Sequence, residues 1–224
     1  MHKFILTPEI IHAWGDSIIP PEQCLIEWAR QFQSKDKVAL DIGAHVGDWA
    51  VDMADYSKEV HAFEAQTSTY KLLLANAKGY SNIWCHSGAL CEKRGDVDLA
   101  IRSPDGGGSS VVLYALSKFG NSQGIVDLAV QQGRVALETV RAYTLDSCEI
   151  RNISFIKLDV EGAERLVLQG GVETLEASGW PLLIYEAWSQ DWYQEEHEKL
   201  KAYIKSLGYR IRPVTWPDTY VAEK

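Results

Sequence analysis

Short runs of apolar residues alternate along the chain with longer amphipathic segments. Continuous apolar runs bounded by turn residues predict buried strands over 37–43, 58–65, 82–90, 154–160 and 181–188. Segments of helical character follow most of these runs, over 47–56, 68–80, 161–171 and 194–209. This alternation is typical of a parallel sheet with helices on both faces. We therefore predict an open α/β fold built on a mostly parallel sheet.

The remaining segments complete this picture. Residues 22–32 have a helical pattern within an N-terminal helical segment over 1–33, and the stretches YRIRPV and TYVAEK predict a closing antiparallel hairpin. The middle of the chain, 91–140, contains SPDGGGSS and further glycine-containing stretches. Successive glycines disfavour regular structure, so we predict a loop-rich insertion that covers the ligand site as a lid. The whole chain, 1–224, is long enough for one domain with a full core.

Composition and charge narrow the classes of protein. A hydrophobic content of 46% fits a globular fold. The net charge of −9 disfavours nucleic-acid binding, and no apolar run has the length of a signal peptide or a membrane span. The four cysteines (Cys24, Cys85, Cys91 and Cys148) form no CxxC pair. They predict reduced thiols in a cytoplasmic protein, with neither a zinc site nor a disulfide framework.

Four of the predicted strands end in a carboxylate. These residues are Asp41, Glu64, Asp159 and Glu186. Ligands of open α/β sheets bind beyond the carboxyl ends of the strands, so all four are expected on one rim. A single acidic residue at a strand end is explained by capping, but four on one edge predict a binding cleft.

The stretch VALDIGAHVGDWAV connects the first strand to its helix. Gly43 and Gly47 allow a sharp turn and a close approach of a ligand to the backbone. The spacing differs from G-x-G-x-x-G, which disfavours a pyrophosphate ligand. Glu64, at the end of the next strand, can accept both hydroxyls of a ribose. A ligand with a ribose and a charged part but no pyrophosphate is indicated, and S-adenosylmethionine fits that description.

Three stretches carry a resemblance to a known family. LDIGAHVGDWA, VHAFEA and FIKLDVEGAERLVLQGG resemble the FkbM family of class I S-adenosylmethionine-dependent methyltransferases, over roughly 37–210. The resemblance implies a Rossmann-like methyltransferase fold and methyl transfer from that cofactor. His45 stands where the family usually has asparagine, and Ala65 stands where it usually has proline.

The resemblance also implies roles for particular residues. It assigns the cofactor loop to Asp41, Gly43, Ala44, His45 and Gly47. It assigns the ribose to Glu64, flanked by Ala65 and Gln66, and the border of the adenine to Ser87, Gly88 and Ala89. Ser109 and Ser110 resemble a serine pair that lines the substrate site.

Methyl transfer to a hydroxyl requires a base or a metal ion, because an alcohol is a poor nucleophile near neutral pH. Asp159 is the first candidate for this acidic group, assisted by Glu161 and Glu186. Asp159 and Glu186 resemble the metal-binding pair of catechol-type O-methyltransferases, which implies Mg²⁺ or another divalent cation. His86 is an alternative base, and packing or adenine contact is its other interpretation.

Three functions remain open at this point. The first is O-methylation of a sugar hydroxyl or a small natural product, which the family resemblance favours. The second is methylation of an amine or a protein side chain. The third is a non-enzymatic cofactor-binding protein, which the acidic rim disfavours because such a protein needs no carboxylates beyond Asp41 and Glu64. We expect no nucleic-acid or membrane partner, and a homo-oligomer is compatible with the sequence.

Overall fold

A seven-stranded sheet forms the centre of the protein. The computed structural model describes residues 4–15, 17, 19–102, 110–111 and 130–224. The strands are β1 (Val38–Ile42), β2 (Glu59–Glu64), β3 (Ile83–Ser87), β8 (Ile153–Leu158), β9 (Leu182–Glu186), β10 (Arg210–Pro213) and β11 (Thr219–Glu223). Their order is β10-β11-β9-β8-β1-β2-β3. The pairs among β3, β2, β1, β8 and β9 are parallel, whereas β11 runs antiparallel to both of its neighbours.

Helices cover both faces of this sheet. The described helices are α1 (Pro8–Ala13), α2 (Gln23–Ala29), α3 (Asp48–Ala54), α4 (Thr67–Ala77), α5 (Glu164–Gln169), α6 (Val172–Ala177) and α7 (Gln194–Ser206). Apolar residues of α2, α3 and α4 pack on one face, and those of α5, α6 and α7 pack on the other. β1 is buried along its whole length, as its largely apolar sequence predicts. The predicted α/β fold and the closing hairpin are therefore confirmed.

A second, four-stranded sheet follows β3. It consists of β4 (Ala89–Leu90), β5 (Gly95–Ile101), β6 (Ser110–Val111) and β7 (Ala136–Tyr143), in the order β4-β7-β5-β6. The prediction of a loop-rich segment over 91–140 is wrong for β5 and for the part of β7 that it includes. More exposed and less exposed residues alternate over 95–99 of β5 and 138–142 of β7. The exposed Asp96 and Asp98 accept hydrogen bonds from Arg141 and Thr139, respectively. Such alternation is typical of strands, but the prediction of a loop gave more weight to the glycines of this segment.

Parts of the predicted lid lie outside the described residues. These parts are 103–109, which includes Ser109, and 112–129. The backbone of Ser110 pairs with that of Ala100 at the edge of the second sheet. The role of 91–140 as a lid remains a prediction.

Two element boundaries differ from the sequence prediction. The strand predicted over 82–90 ends at Ser87, because Gly88 (φ +128°) turns the chain out of the main sheet. The helix predicted over 161–171 begins only at Glu164, because Glu161 (φ +56°) and Gly162 (φ +99°) form a turn. Glu161 therefore projects from a loop at the end of β8 rather than from a helix.

Two further features are the state of the cysteines and the character of the helices. Each of the four cysteines is a free thiol, as predicted. Among the helices in the described ranges, none combines the length and the apolar character that crossing a bilayer would require.

Candidate functional site

A cavity of about 290 Å³ opens at the carboxyl ends of β1, β2 and β8. Its walls come from the loop after β1, the ends of the central strands, the start of the second sheet and the N-terminal segment. The residues that line this cavity include Trp14, Pro21, Glu22, Gly43, His45, Asp48, Phe63, Glu64, Ala65, Gly88, Ala89, Leu90, Leu99, Lys157, Asp159 and Glu161. One part of the wall is apolar and the rest is rich in carboxylates, so the cavity suits a ligand that is aromatic at one end and cationic at the other.

The loop between β1 and α3 shapes one side of this cavity. The backbone N–H groups of Gly43 and Ala44 both donate to the carbonyl oxygen of Phe63, at 3.0 and 2.8 Å. Gly43 has a φ of +81°, and a Cβ atom at this position would lie 1.7 Å from the carbonyl oxygen of Asp159. Only glycine therefore allows the loop to pack against the end of β8.

Glu64 is held in place by two backbone amides. Its Oε2 accepts from the N–H of His45 and its Oε1 from the N–H of Gln66, both at 2.8 Å. Burial raises the pKa of Glu64, and the amides of Gln66 and His45 oppose this effect. Because each carboxylate oxygen keeps a second lone pair, Glu64 remains able to accept hydrogen bonds from a ligand in the cavity.

Asp41 lies behind the cavity rather than in its wall, which differs from the predicted position. The residue is fully buried, and its Oδ1 lies 3.5 Å from the Nζ atom of Lys157. Burial raises the pKa of Asp41 to about 6, although Lys157 opposes this effect. Asp41 and Lys157 are direct neighbours in the parallel pairing of β1 with β8, which brings the two side chains together.

Lys157 is also bonded to two other groups. Its Nζ donates to the carbonyl oxygen of Gly43 at 2.6 Å and lies 3.4 Å from Oδ2 of Asp159. Burial lowers the pKa of Lys157 while Asp159 and Asp41 raise it, and the net change is upward. Lys157 is thus a permanently charged structural cation, and it is unsuited to act as a base.

Three carboxylates meet at the ends of β8 and β9. Oxygen atoms of Asp159, Glu161 and Glu186, here called the acid triad, all lie within 4.8 Å of one another. Burial and the charges of Asp159 and Glu161 raise the pKa of Glu186 to about 11. Carboxylates this close cannot all be ionised without compensation. Lys157 lies 3.4 Å from Asp159, and the raised pKa of Glu186 favours its protonated form.

Glu164 supports the turn that carries Glu161. It is buried, and its Oε1 accepts from the backbone N–H groups of Val160 and Gly162, both at 3.1 Å. The hydroxyl of Tyr193 donates to its Oε2 at 3.4 Å. Burial raises the pKa of Glu164 to about 7, against the effect of these amides. Its carboxylate is thus turned toward the loop amides rather than toward a ligand.

A family model, the methyltransferase FkbM domain, matches residues 41–211. The chain belongs to the FkbM methyltransferase family. The resemblance seen in the sequence motifs is confirmed, and this FkbM domain is an S-adenosylmethionine-dependent methyltransferase. The prediction of a non-enzymatic binder is set aside by this membership. No curated protein sequence matches the chain as a relative.

Solved structures support the fold of the FkbM domain. A methyltransferase FkbM from Methylobacillus flagellatus KT matches with a TM-score of 0.56 and 15% identity, over 99% of this chain and 56% of that chain. A precorrin-6y C5,15-methyltransferase from Geobacter metallireducens GS-15 matches with a TM-score of 0.55 and 10% identity, over 99% of this chain and 94% of that chain. An rRNA methylase from Streptococcus thermophilus matches with a TM-score of 0.52 and 11% identity, over 92% of this chain and 96% of that chain. At such low identities these likenesses indicate the class I methyltransferase fold alone.

His86 lies away from the cavity of the FkbM domain. Its ring stacks on Phe63 with a centroid distance of 4.4 Å, and its Nε2 lies 2.9 Å from Nδ1 of His61. Burial and the neighbouring His61 lower the pKa of His86 to about 4. Since His86 is not among the cavity-lining residues of the described chain, the structure favours the packing interpretation over that of a base.

The other predicted cofactor residues divide into two groups. Gly43, His45, Glu64, Ala65, Gly88 and Ala89 line the cavity. Ala44, Gly47, Gln66 and Ser87 do not: Ala44 and Gln66 are buried, Ser87 is exposed on the surface, and Gly47 packs on α4. A Cβ atom on Gly47 would lie 2.7 Å from the movable Cδ1 of Leu73, and its φ of +90° is the stronger reason for glycine at this position.

Sequence reasoning missed the acidic residues Glu22 and Asp48. Both line the cavity, and Glu22 accepts a hydrogen bond from the indole Nε1 of Trp49 at 2.7 Å. Burial and the charge of Asp159 raise the pKa of Glu22 to about 7, although Lys157 and the Trp49 hydrogen bond oppose them. Asp48 directly follows Gly47 of the cofactor loop, and this position in the sequence could have identified it as a cavity residue. Glu22 lies far from any strand end, so its position depends on the packing of α2.

Proposed function

We propose that this FkbM domain methylates a hydroxyl group of a neutral acceptor, a sugar or another small natural product. The observation that supports the proposal is the acid triad, which borders the cofactor cavity where the acceptor must approach the methyl group. A group of carboxylates repels an anionic acceptor and accepts hydrogen bonds from hydroxyl groups. It would also hold an amine in its protonated form, which has no lone pair for methylation.

The cofactor is proposed to lie along the cavity with its two ends in different surroundings. Glu64 accepts the ribose hydroxyls, and the apolar wall of Phe63, Ala89 and Leu90 faces the adenine. The methionine part lies toward Gly43 and His45, near the carboxylates. When bound, the sulfonium of S-adenosylmethionine supplies an electrophilic methyl group.

Asp159 is proposed as the acidic group closest to the reaction. It directly follows β8, lines the cavity and belongs to the acid triad. By contrast, Asp41 forms an ion pair with Lys157, and Glu64 accepts hydrogen bonds from the loop amides. As a base it accepts the proton of the attacking hydroxyl, with Glu161 and Glu186 assisting. Correct alignment of acceptor and methyl group accounts for much of the expected rate.

A divalent cation is the second way in which the acid triad can act. An all-oxygen set of three carboxylates has the chemistry that Mg²⁺ and Ca²⁺ prefer. Asp159, Glu161 and Glu186 would hold the ion, and it would polarise the acceptor oxygen. Their mutual distances, all within 4.8 Å, are compatible with shared coordination.

The proposed function is tested by product formation with a panel of acceptors. Purified protein, radiolabelled S-adenosylmethionine and a set of neutral sugars, polyphenols, amines and anionic sugars are combined with and without Mg²⁺. We expect methyl transfer to neutral hydroxyl compounds and none to the anionic set. Transfer confined to amines would contradict the proposal and support the alternative of an amine acceptor.

The Glu64→Ala substitution should weaken cofactor binding. The change removes charge-assisted hydrogen bonds to the ribose, which are worth about 1.5–3 kcal/mol. Calorimetry with S-adenosylhomocysteine measures the loss, and the exposed Glu176→Ala variant on α6 is the control. Equal affinities of Glu64→Ala and the parent protein would refute the ribose assignment.

Mg²⁺ should stabilise the protein if the acid triad holds a cation. At a concentration of ten times its dissociation constant, the ion adds about 1.4 kcal/mol, or about 3–6 °C in the unfolding midpoint of a domain of this size. Thermal unfolding with and without Mg²⁺ measures the shift. Glu186→Gln should abolish the shift, since it removes one charged ligand. A shift retained in that variant would place the ion elsewhere.

A further inference from the structure

The N-terminal segment places a carboxylate in the cofactor cavity. Glu22 precedes α2 and lines the cavity together with Trp14 and Pro21. The guanidinium of Arg30, at the end of α2, donates from Nε and Nη2 to the carboxylate of Asp52 on α3, at 3.1 and 2.5 Å. This pairing ties the N-terminal segment to the helix that follows the glycine loop. The position of Glu22 relative to the loop is therefore set by the fold.

Lys157 already contacts one carbonyl oxygen of the loop after β1 and two carboxylates beside it. Its Nζ donates to the carbonyl oxygen of Gly43 at 2.6 Å and lies 3.5 Å from Asp41 and 3.4 Å from Asp159. Among the described residues that line the cavity, Lys157 is the sole lysine or arginine. A cationic group of a ligand at this end is therefore expected to pair with a carboxylate of the cavity wall that Lys157 does not contact.

Glu22 offers such an acceptor. The hydrogen bond to its carboxylate comes from the indole of Trp49, a neutral group, at 2.7 Å. Asp48, another acidic residue of the cavity wall, accepts from its own backbone amide and that of Trp49. Glu22 also borders a small adjoining cavity that reaches Asp159 and Glu186. Its carboxylate thus lies in the wall of the cavity that Gly43 and Asp159 also line, and a neutral donor fixes its orientation.

We propose that Glu22 binds the α-ammonium group of S-adenosylmethionine, which makes it a cofactor-binding residue supplied by the N-terminal segment. An ammonium group brings three donors, and a charge-assisted hydrogen bond to a carboxylate is stronger than a neutral one. The inference rests on the proposed cofactor site and adds to it a binding partner, Glu22, for the α-ammonium group of the cofactor. It also gives the N-terminal segment a part in cofactor binding.

The test compares two ligands that differ only in this ammonium group. S-adenosylhomocysteine and its desamino analogue are titrated by calorimetry into the parent protein, Glu22→Gln and Glu27→Gln. Glu27 is an exposed residue of α2 and serves as the matched control. Glu22→Gln should weaken S-adenosylhomocysteine about tenfold to a hundredfold, and should leave the desamino analogue unchanged. Glu27→Gln should change neither affinity.

Several outcomes would overturn the inference. Equal losses for both ligands would mean that Glu22 acts through the fold, and no loss would place the ammonium on another acceptor. If the parent protein fails to bind S-adenosylhomocysteine, the proposed cofactor site itself is wrong, which separates the two failures. Thermal unfolding of each variant without ligand checks the fold. If Glu22→Gln is unfolded, Glu22→Asp keeps the charge, shortens the side chain and should weaken S-adenosylhomocysteine alone.

Discussion

Replacement of Asp159 by asparagine is expected to lower turnover by about two to four orders of magnitude, the range found for general acid–base groups. Asparagine keeps the size and shape of the side chain but can neither accept the acceptor's proton nor add charge to the acid triad. Lys157 keeps its contacts with Gly43 and Asp41, so the local fold should persist. Cofactor affinity should change by no more than about threefold, because the loss falls on a step that follows binding.

Rates and cofactor affinities of the Asp159→Asn variant are measured on an acceptor identified from the panel. Asp36→Asn, in an exposed turn before β1, is the matched control and should retain the parental rate. Parental turnover of Asp159→Asn would show that Asp159 has only a structural part.

A chelator series separates the two roles proposed for Asp159. If chelation removes activity and Mg²⁺ restores it, the acid triad acts as a metal-binding group. If chelation has no effect, Asp159 acts as the base, since His86 is bonded to His61 and stacked on Phe63 away from the cavity. In both cases Asp159→Asn should be impaired, so the substitution tests the residue and the chelator tests its role.

The sequence predicted the rim of the main sheet because its central strands are mainly apolar and carry a carboxylate at or next to their carboxyl ends. Mainly apolar stretches identify strands without knowledge of their neighbours, and the open α/β fold then places their ends on one edge. The burial of Asp41 was not predicted because it depends on the register of β1 with β8, which places Lys157 directly beside it. Register is a property of two distant segments, so local patterns do not reveal it.

Two other differences have separate physical causes. The alternating pattern of β5 and β7 was present in the sequence, but glycine content decided the prediction against it. The place of Glu22 in the cavity wall was not predicted, because a single acidic residue before a helix is usually a solvated cap. Its position follows from the contact of α2 with α3, including the Trp49 hydrogen bond, and a local sequence pattern does not reveal that contact.

The Gly43→Ala substitution should destabilise the protein by about 2–5 kcal/mol and abolish cofactor binding. Two costs add at this position. The left-handed backbone (φ +81°) costs a residue with a Cβ atom about 1–2 kcal/mol. The new Cβ would also lie 1.7 Å from the carbonyl oxygen of Asp159, and overpacking of this kind costs about 1–3 kcal/mol more. Relief of the clash must move the loop away from β8.

Two further glycines separate these costs in denaturant-unfolding experiments. Gly179 has a similar φ of +76°, and a Cβ atom added there would meet no atom within 4 Å, so Gly179→Ala should show the backbone cost alone. Gly79 has open space and no left-handed backbone, so Gly79→Ala should be nearly neutral. The close approach of the loop to β8 predicts that Gly43→Ala exceeds Gly179→Ala by the overpacking cost. Equal losses in the free energy of unfolding for these two variants would mean that the loop moves away from Asp159 at little cost. Glycine would then be needed at position 43 only for its backbone conformation.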